Sequence, residues 1–102
     1  MPLMVVYRSR DVDRTTYPKI MARTAGQLPE GAVSHLAGFS DDGGFCVVDV
    51  WERRDQFEVF LPTLRQALAD LNVPWAEPEV YEMGGVIATP AIERYAAQFA
   101  PV

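Results

Sequence analysis

His35, Asp49 and Trp51 are the residues whose types and spacing could support chemistry in this chain. His35 is the only histidine and sits inside the strand-like segment AVSHLAGF. An imidazole titrates near neutrality, so it could act as a general base or hold a substrate. It could equally be a core histidine satisfied by a neighbour, or an interface residue. Asp49 interrupts the apolar run FCVVDVW. A carboxylate between valines must be hydrogen-bonded, paired or protonated, because burying it alone is costly. It is either the acid or base of a pocket, or a structural acid bonded to a helix terminus or to an arginine such as Arg8. Trp51 shares strand parity with Asp49, so both face one side. Its indole could stack on an aromatic ligand and offer one N–H donor, or simply fill the core.

Whether His35 meets Asp49 turns on hairpin register. A two-residue Asp42-Gly43 loop would put Val50 opposite His35 and turn Asp49 to the other face. A three- or five-residue loop, or a bulge, would bring Asp49 opposite His35 on the same side. No serine or cysteine stands in an elbow motif, so the pair does not spell a hydrolase. Tyr7, Tyr17, Phe57, Phe60 and Tyr81 could complete an aromatic-lined cavity around Trp51, although Phe57 and Phe60 read first as plain core at helical spacing. Arg8 and Arg65 could bind a carboxylate or lie on the surface. Cys46 is the only cysteine, so an internal disulfide is excluded, and its apolar strand suggests a buried, inert thiol. One cysteine and one histidine cannot build a thiolate zinc site, and no metal or cofactor is expected. The Gly43-Gly44 pair is turn punctuation, because no helix N-terminus follows it directly.

The elements that must position these groups follow from periodicity. Leu3–Ser9 reads as a strand with both parities apolar. A helix follows, carrying Tyr17, Ile20, Met21, Thr24 and Leu28 on one stripe. Either Asp13 caps it and Pro18 kinks its second turn, or Thr16 caps it and Pro18 falls in the first. Gly26 is its expected stop. Ala32–Phe39 and Phe45–Glu52 are strands joined by the Ser40–Gly44 turn. The second helix bears Phe57, Phe60, Leu61, Leu64, Leu68 and Leu71 at i, i+3, i+4 spacing. Asp55 and Glu58 have capping-box spacing at its start, and Pro62 should bend it. Glu79–Ile87 is a fourth strand, weakened at Gly84-Gly85. Thr89-Pro90 starts a short C-terminal helix with Ile92, Tyr95 and Phe99 on its stripe.

The order β-α-β-β-α-β predicts an α+β, ferredoxin-like domain over residues 1–88, with a four-stranded antiparallel sheet and two helices on one face, and a helical tail over 89–102. The first and third strands are apolar on both faces, yet two helices can cover only one. At about 25 cal/mol per Å², a few hundred Å² of bare apolar sheet would cost several kcal/mol, comparable with the stability of a small domain. A homodimer packed sheet against sheet about a two-fold axis is the expected remedy.

Composition narrows the function classes. The 102 residues suit one domain, and 49% hydrophobic with 23% charged residues argues against disorder. A net charge of −5 without a basic cluster excludes nucleic acid as an expected partner. The start MPLMVVYRSR has only a short apolar run and no basic leader, so neither a secretory signal nor a membrane span is expected, and a cytoplasmic location is the default.

The phrase Val47-Val48-Asp49-Val50-Trp51-Glu52, the preceding His35-x-x-Gly38-Phe39-x-Asp41-Asp42-Gly43-Gly44, and the phenylalanine-bearing second helix resemble the dimeric α+β barrel superfamily. They are similar in particular to small antibiotic-biosynthesis-monooxygenase-like (ABM-like) proteins, over about Leu3–Ile87. The resemblance implies a barrel formed by two sheets, with a pocket in each subunit between sheet and helices. Members include cofactor-free monooxygenases of aromatic polyketides and haem-degrading oxygenases. It implies an asparagine on the first strand and a tryptophan on the third, and for haem degraders a histidine on the second helix. Trp51 matches the tryptophan. The first strand has no asparagine, the second helix has no histidine, and Arg53 replaces the small residue usual after Trp-Glu. The implied activity is a cofactor-independent enzyme for a small aromatic or polyketide-like molecule, with His35 or Asp49 as base. The other reading of the same chain is a non-catalytic homodimeric module that binds a small ligand or a partner.

Overall fold

A computed structural model describes residues 1–24 and 28–100. Its elements are β1 (Leu3–Ser9), α1 (Thr16–Arg23), β2 (Ala32–Phe39), β3 (Phe45–Trp51), α2 (Arg54–Asp70), β4 (Glu79–Glu82) and α3 (Ala91–Gln98). The four strands form one antiparallel sheet in the order β2-β3-β1-β4. This is the ferredoxin-like α+β arrangement expected from the element order.

Local chemistry explains most boundaries. Asp13 bonds the start of α1: its Oδ1 accepts from the backbone N–H groups of Thr15 and Thr16, at 3.0 and 2.7 Å, and from the Thr16 hydroxyl. These are donors that a helix start leaves unpaired. The helix itself starts at Thr16, with Thr15 in the N-cap position and making no side-chain cap, so Pro18 falls in the first turn, where it is tolerated, while Asp13 bonds the turn just ahead of it. The helix ends at Arg23 with Thr24 as its C-cap, so Leu28 lies past the stripe on which it was predicted. Gly26 lies outside the described residues.

The second helix starts differently from its predicted capping box. Arg53 is the N-cap residue, in extended conformation and with no side-chain cap, and Asp55 sits inside the first turn. There Asp55 accepts from the Arg53 side chain at 3.0 Å and places a negative charge beside the positive helix end. The Arg53 partner, together with the adjacent backbone donors, holds the Asp55 carboxyl below its usual range. The helix runs through Pro62 without interruption. Strand β4 ends at Glu82, well short of Ile87, because its partner runs out: Glu82 pairs with Leu3, the first residue of β1. One further bond, Met83 N–H to Pro2 O at 3.0 Å, closes the ladder. Val86 and Ile87 are left exposed, as are Ile92, Tyr95 and Phe99 of the C-terminal segment.

On the helix side of the sheet the core divides into two clusters. One is Leu3, Val5, Trp51 and Phe57, and the other is Val12, Ile20, Phe45 and Val47. Tyr7 packs against both. On β3 the residue between Val47 of one cluster and Trp51 of the other is Asp49, so the polar groups sit in the seam of a split core. The opposite face presents Met4, Val6, Leu36, Val48, Val50 and Tyr81, with Cys46 half-buried rather than enclosed. No described helix is long and apolar enough to cross a membrane.

Candidate functional site

The hairpin register brings His35 and Asp49 together. Phe39 pairs with Phe45, which leaves a five-residue connection, Ser40 to Gly44, and that places His35 directly opposite Asp49. Ser40 N–H donates to Gly44 O at 2.9 Å, and Gly44 N–H donates to Ser40 Oγ at 2.8 Å. Gly43 takes φ +90°, a conformation that glycine adopts without steric cost. Arg10 reaches across to Asp42, donating to its backbone and carboxylate oxygens at 2.9 and 3.0 Å. The loop is thus also bonded to the residue that follows β1. At the other end of the hairpin a bulge between Ala32 and Ser34 restores Ala32 to its place opposite Trp51.

His35 Nδ1 lies 2.6 Å from Asp49 Oδ1, and His35 Nε2 lies 2.6 Å from Tyr17 Oη. The side chains of His35 and Asp49 are only 15% and 12% exposed. A carboxylate can only accept, so Nδ1 carries the proton and donates to Asp49. In the neutral ring Nε2 is then an acceptor, and the Tyr17 hydroxyl donates to it. The three residues form one chain, Tyr17 to His35 to Asp49, drawn from α1, β2 and β3. Asp49 thus pairs with His35 and not with Arg8. Arg8 has opposite strand parity and pairs with Glu79 on the other side of the sheet.

The chain opens on a pocket between sheet and helices with a volume of about 90 Å³, several times the roughly 10–15 Å³ that one water requires. Tyr7, Tyr17, His35, Asp49, Trp51 and Phe60 all line it, against an otherwise largely apolar wall from α1, α2 and the segment after α2. Two buried donors behind that wall, Tyr7 Oη and Trp51 Nε1, find no partner among the described residues. Burial, and secondarily the Asp49 carboxylate, pushes the Tyr17 phenol up to about 12 and raises Tyr7 further still. Both phenols therefore stay protonated and remain donors at neutral pH.

Two of the predicted pocket residues lie elsewhere. Phe57 is buried in the Trp51 cluster and does not line the pocket. Tyr81 is 49% exposed and pairs with Met4 on the opposite face, since β4 parity turns Val80 inward instead. Trp51 is both core and pocket wall: it is 1% exposed, with its ring against Phe57 and Phe60. Arg65 lies over the Trp75 ring, 4.2 Å from its centroid, and not in the pocket. The link from Tyr17 to His35 was not evident from the sequence. The one signal for it is that Tyr17 lies on the buried stripe with Ile20, where a hydroxyl needs a partner.

No family model matches the sequence, and no curated protein matches it. Solved structures do. A mutant form of SnoaB, a cofactor-independent oxygenase from Streptomyces nogalater, superposes with a TM-score of 0.65 at 20% identity, over 86% of this chain and 98% of that one. A proposed antibiotic biosynthesis monooxygenase from Chloroflexus aurantiacus gives 0.63 at 14% identity, over 86% and 98%. Rv0793 from Mycobacterium tuberculosis gives 0.64 at 15% identity, over 86% and 100%. Likenesses at such identities speak for architecture alone, and the chain shares the ferredoxin-like α+β fold of these structures.

Proposed function

We propose that this protein is a cofactor-independent enzyme that deprotonates a small aromatic, polyketide-like molecule and lets the resulting carbanion react with oxygen. The observation that carries the reading is the Tyr17–His35–Asp49 chain, whose three residues line a largely apolar pocket. A base backed by a carboxylate removes a proton from an acidic ring CH₂. Removal of the proton leaves an electron pair on carbon, which passes to O₂ and forms a C–O bond. The peroxide takes up a proton and loses water, so that CH₂ and O₂ become C=O and H₂O. The protein supplies the base and a largely apolar cavity around it. The alternative is a non-catalytic module, whose pocket would be closed by side chains or have all its polar groups satisfied; the buried His35–Asp49 pair beside an open cavity favours the enzyme.

Oxygen uptake with a small aromatic ketone that carries an acidic ring CH₂ tests the reading. His35→Ala and Asp49→Asn should each lower the rate by about 10²-fold or more, as expected for loss of a general base. Uptake unchanged in both variants would remove the base assignment.

We infer further that two copies pack sheet to sheet. The support is the apolar outer face, where Leu36 and Tyr81 are 53% and 49% exposed around Met4, Val48 and Val50. Such a face costs free energy while it meets water.

A further inference from the structure

We infer that Tyr17, and not His35, is the residue that meets the ligand's acidic proton, with His35 and Asp49 serving as the relay behind it. This rests on the base reading above and assigns its contact atom. Both ring nitrogens of His35 are engaged, Nδ1 on Asp49 and Nε2 on Tyr17, each at 2.6 Å. No lone pair of the imidazole is left for a ligand. Tyr17 is half-buried and lines the pocket. A phenol that donates its one proton to Nε2 keeps oxygen lone pairs of its own, so Tyr17 Oη is the acceptor that a ligand encounters.

The step balances without an outside reagent. A ligand O–H or acidic C–H passes its proton to Tyr17 Oη as Tyr17 passes its own proton to His35 Nε2. The electron pair stays on the ligand, which becomes an anion, and an imidazolium forms beside Asp49. Tyr17 ends neutral, and the total charge of pocket and ligand is unchanged. The new positive charge arises where its counter-ion already stands, which is favourable in a poorly solvated site. A ligand class follows. It enters neutral, as a phenol, enol or related weak acid, and sets its acidic hydrogen on Tyr17 Oη. A carboxylate is disfavoured, because its charge would enter beside Asp49 with nothing new to offset it.

The test uses 4-nitrophenol, whose phenolate is coloured, titrated against wild type, Tyr17→Phe and His35→Ala over a range of pH. Bound to wild type, the probe should ionise at lower pH than when free. Tyr17→Phe should bind within about threefold of wild type, the effect of one modest hydrogen bond, yet leave the bound probe neutral at that pH, and His35→Ala should leave it neutral too. Equal ionisation in Tyr17→Phe overturns the relay and leaves the base reading standing. A Tyr17→Phe protein that no longer binds makes Tyr17 an anchor, and also overturns the relay. Failure of wild type to ionise the probe, or ionisation undiminished in His35→Ala, overturns both. Nitrogen-15 NMR of the His35 ring gives a measurement without substitution: the relay requires a proton on Nδ1 and none on Nε2, and the opposite tautomer refutes it.

Discussion

Removing the imidazole by His35→Ala leaves the buried Asp49 carboxylate without the donor that its Oδ1 now accepts from. The cost should be about 2–3 kcal/mol, the penalty for an unsatisfied buried polar or charged group. Removing both members, His35→Ala with Asp49→Ala, should cost less than the sum of the two single changes, because the second change erases the orphan left by the first. Urea denaturation of the three variants measures the coupling, and strict additivity would show that the pair is not energetically linked. Tyr17 makes a pH prediction. Its phenol is held near 12 in the fold against an ordinary 10.0, so as pH rises the unfolded chain releases this proton first. Stability from Tyr17 is complete below about pH 10 and declines between about 10 and 12, where the folded state binds more protons. The raised Tyr7 phenol acts in the same sense. Chemical denaturation at stepped alkaline pH should show that decline, and Tyr17→Phe should make it shallower.

At the scale of the elements, Pro62 is the clearest conflict between local sequence and adopted structure. It lies exposed inside α2, where it cannot donate to the carbonyl of Glu58. Proline in a helix interior costs about 3 kcal/mol against alanine, offset in part by the stiffer unfolded chain. Pro62→Ala should therefore raise stability by about 1–2 kcal/mol in thermal or urea unfolding, and a loss would mean that the proline sets a bend which packing needs. The helix survives its proline because Phe57 and Ala67 are buried on either side of it, so tertiary burial outweighs the local preference. Capping shows a similar override. Asp13 does what its type predicts, whereas the Asp55–Glu58 spacing is bypassed because Arg53, just past β3, is extended and takes the N-cap position, so the helix starts two residues earlier.

For the whole molecule, the decisive question is what covers the outer face of the sheet. A second copy would bury Leu36, Val48 and Val50 against their counterparts about a two-fold axis. Light scattering on the purified protein should then return about twice 11.4 kDa. Val48→Lys, at the centre of that face opposite Leu36 and Val6, should shift the mass toward one copy, since a buried unpaired ammonium is costly. A wild-type mass of one chain would remove the dimer. The exposed Val86, Ile87 and Phe99 belong to the same question, because the segment from Met83 onward leaves the sheet at its edge.

The strand and helix assignments, and their ferredoxin-like order, were legible in the residues because hydrophobic periodicity is local: Val47, Asp49 and Trp51 share a face by parity alone. So was the choice of His35 and Asp49 as the groups to watch, since a polar residue in an apolar strand needs a partner wherever it lies. Which partner is a matter of register and of chain segments far apart in sequence. The five-residue loop decided that His35 faces Asp49, strand parity sent Arg8 and Tyr81 to the other side, and the packing of α1 brought Tyr17 to Nε2. A period fixes which face a side chain takes. Only the folded chain decides what stands across from it, because that contact distance depends on every element between the two.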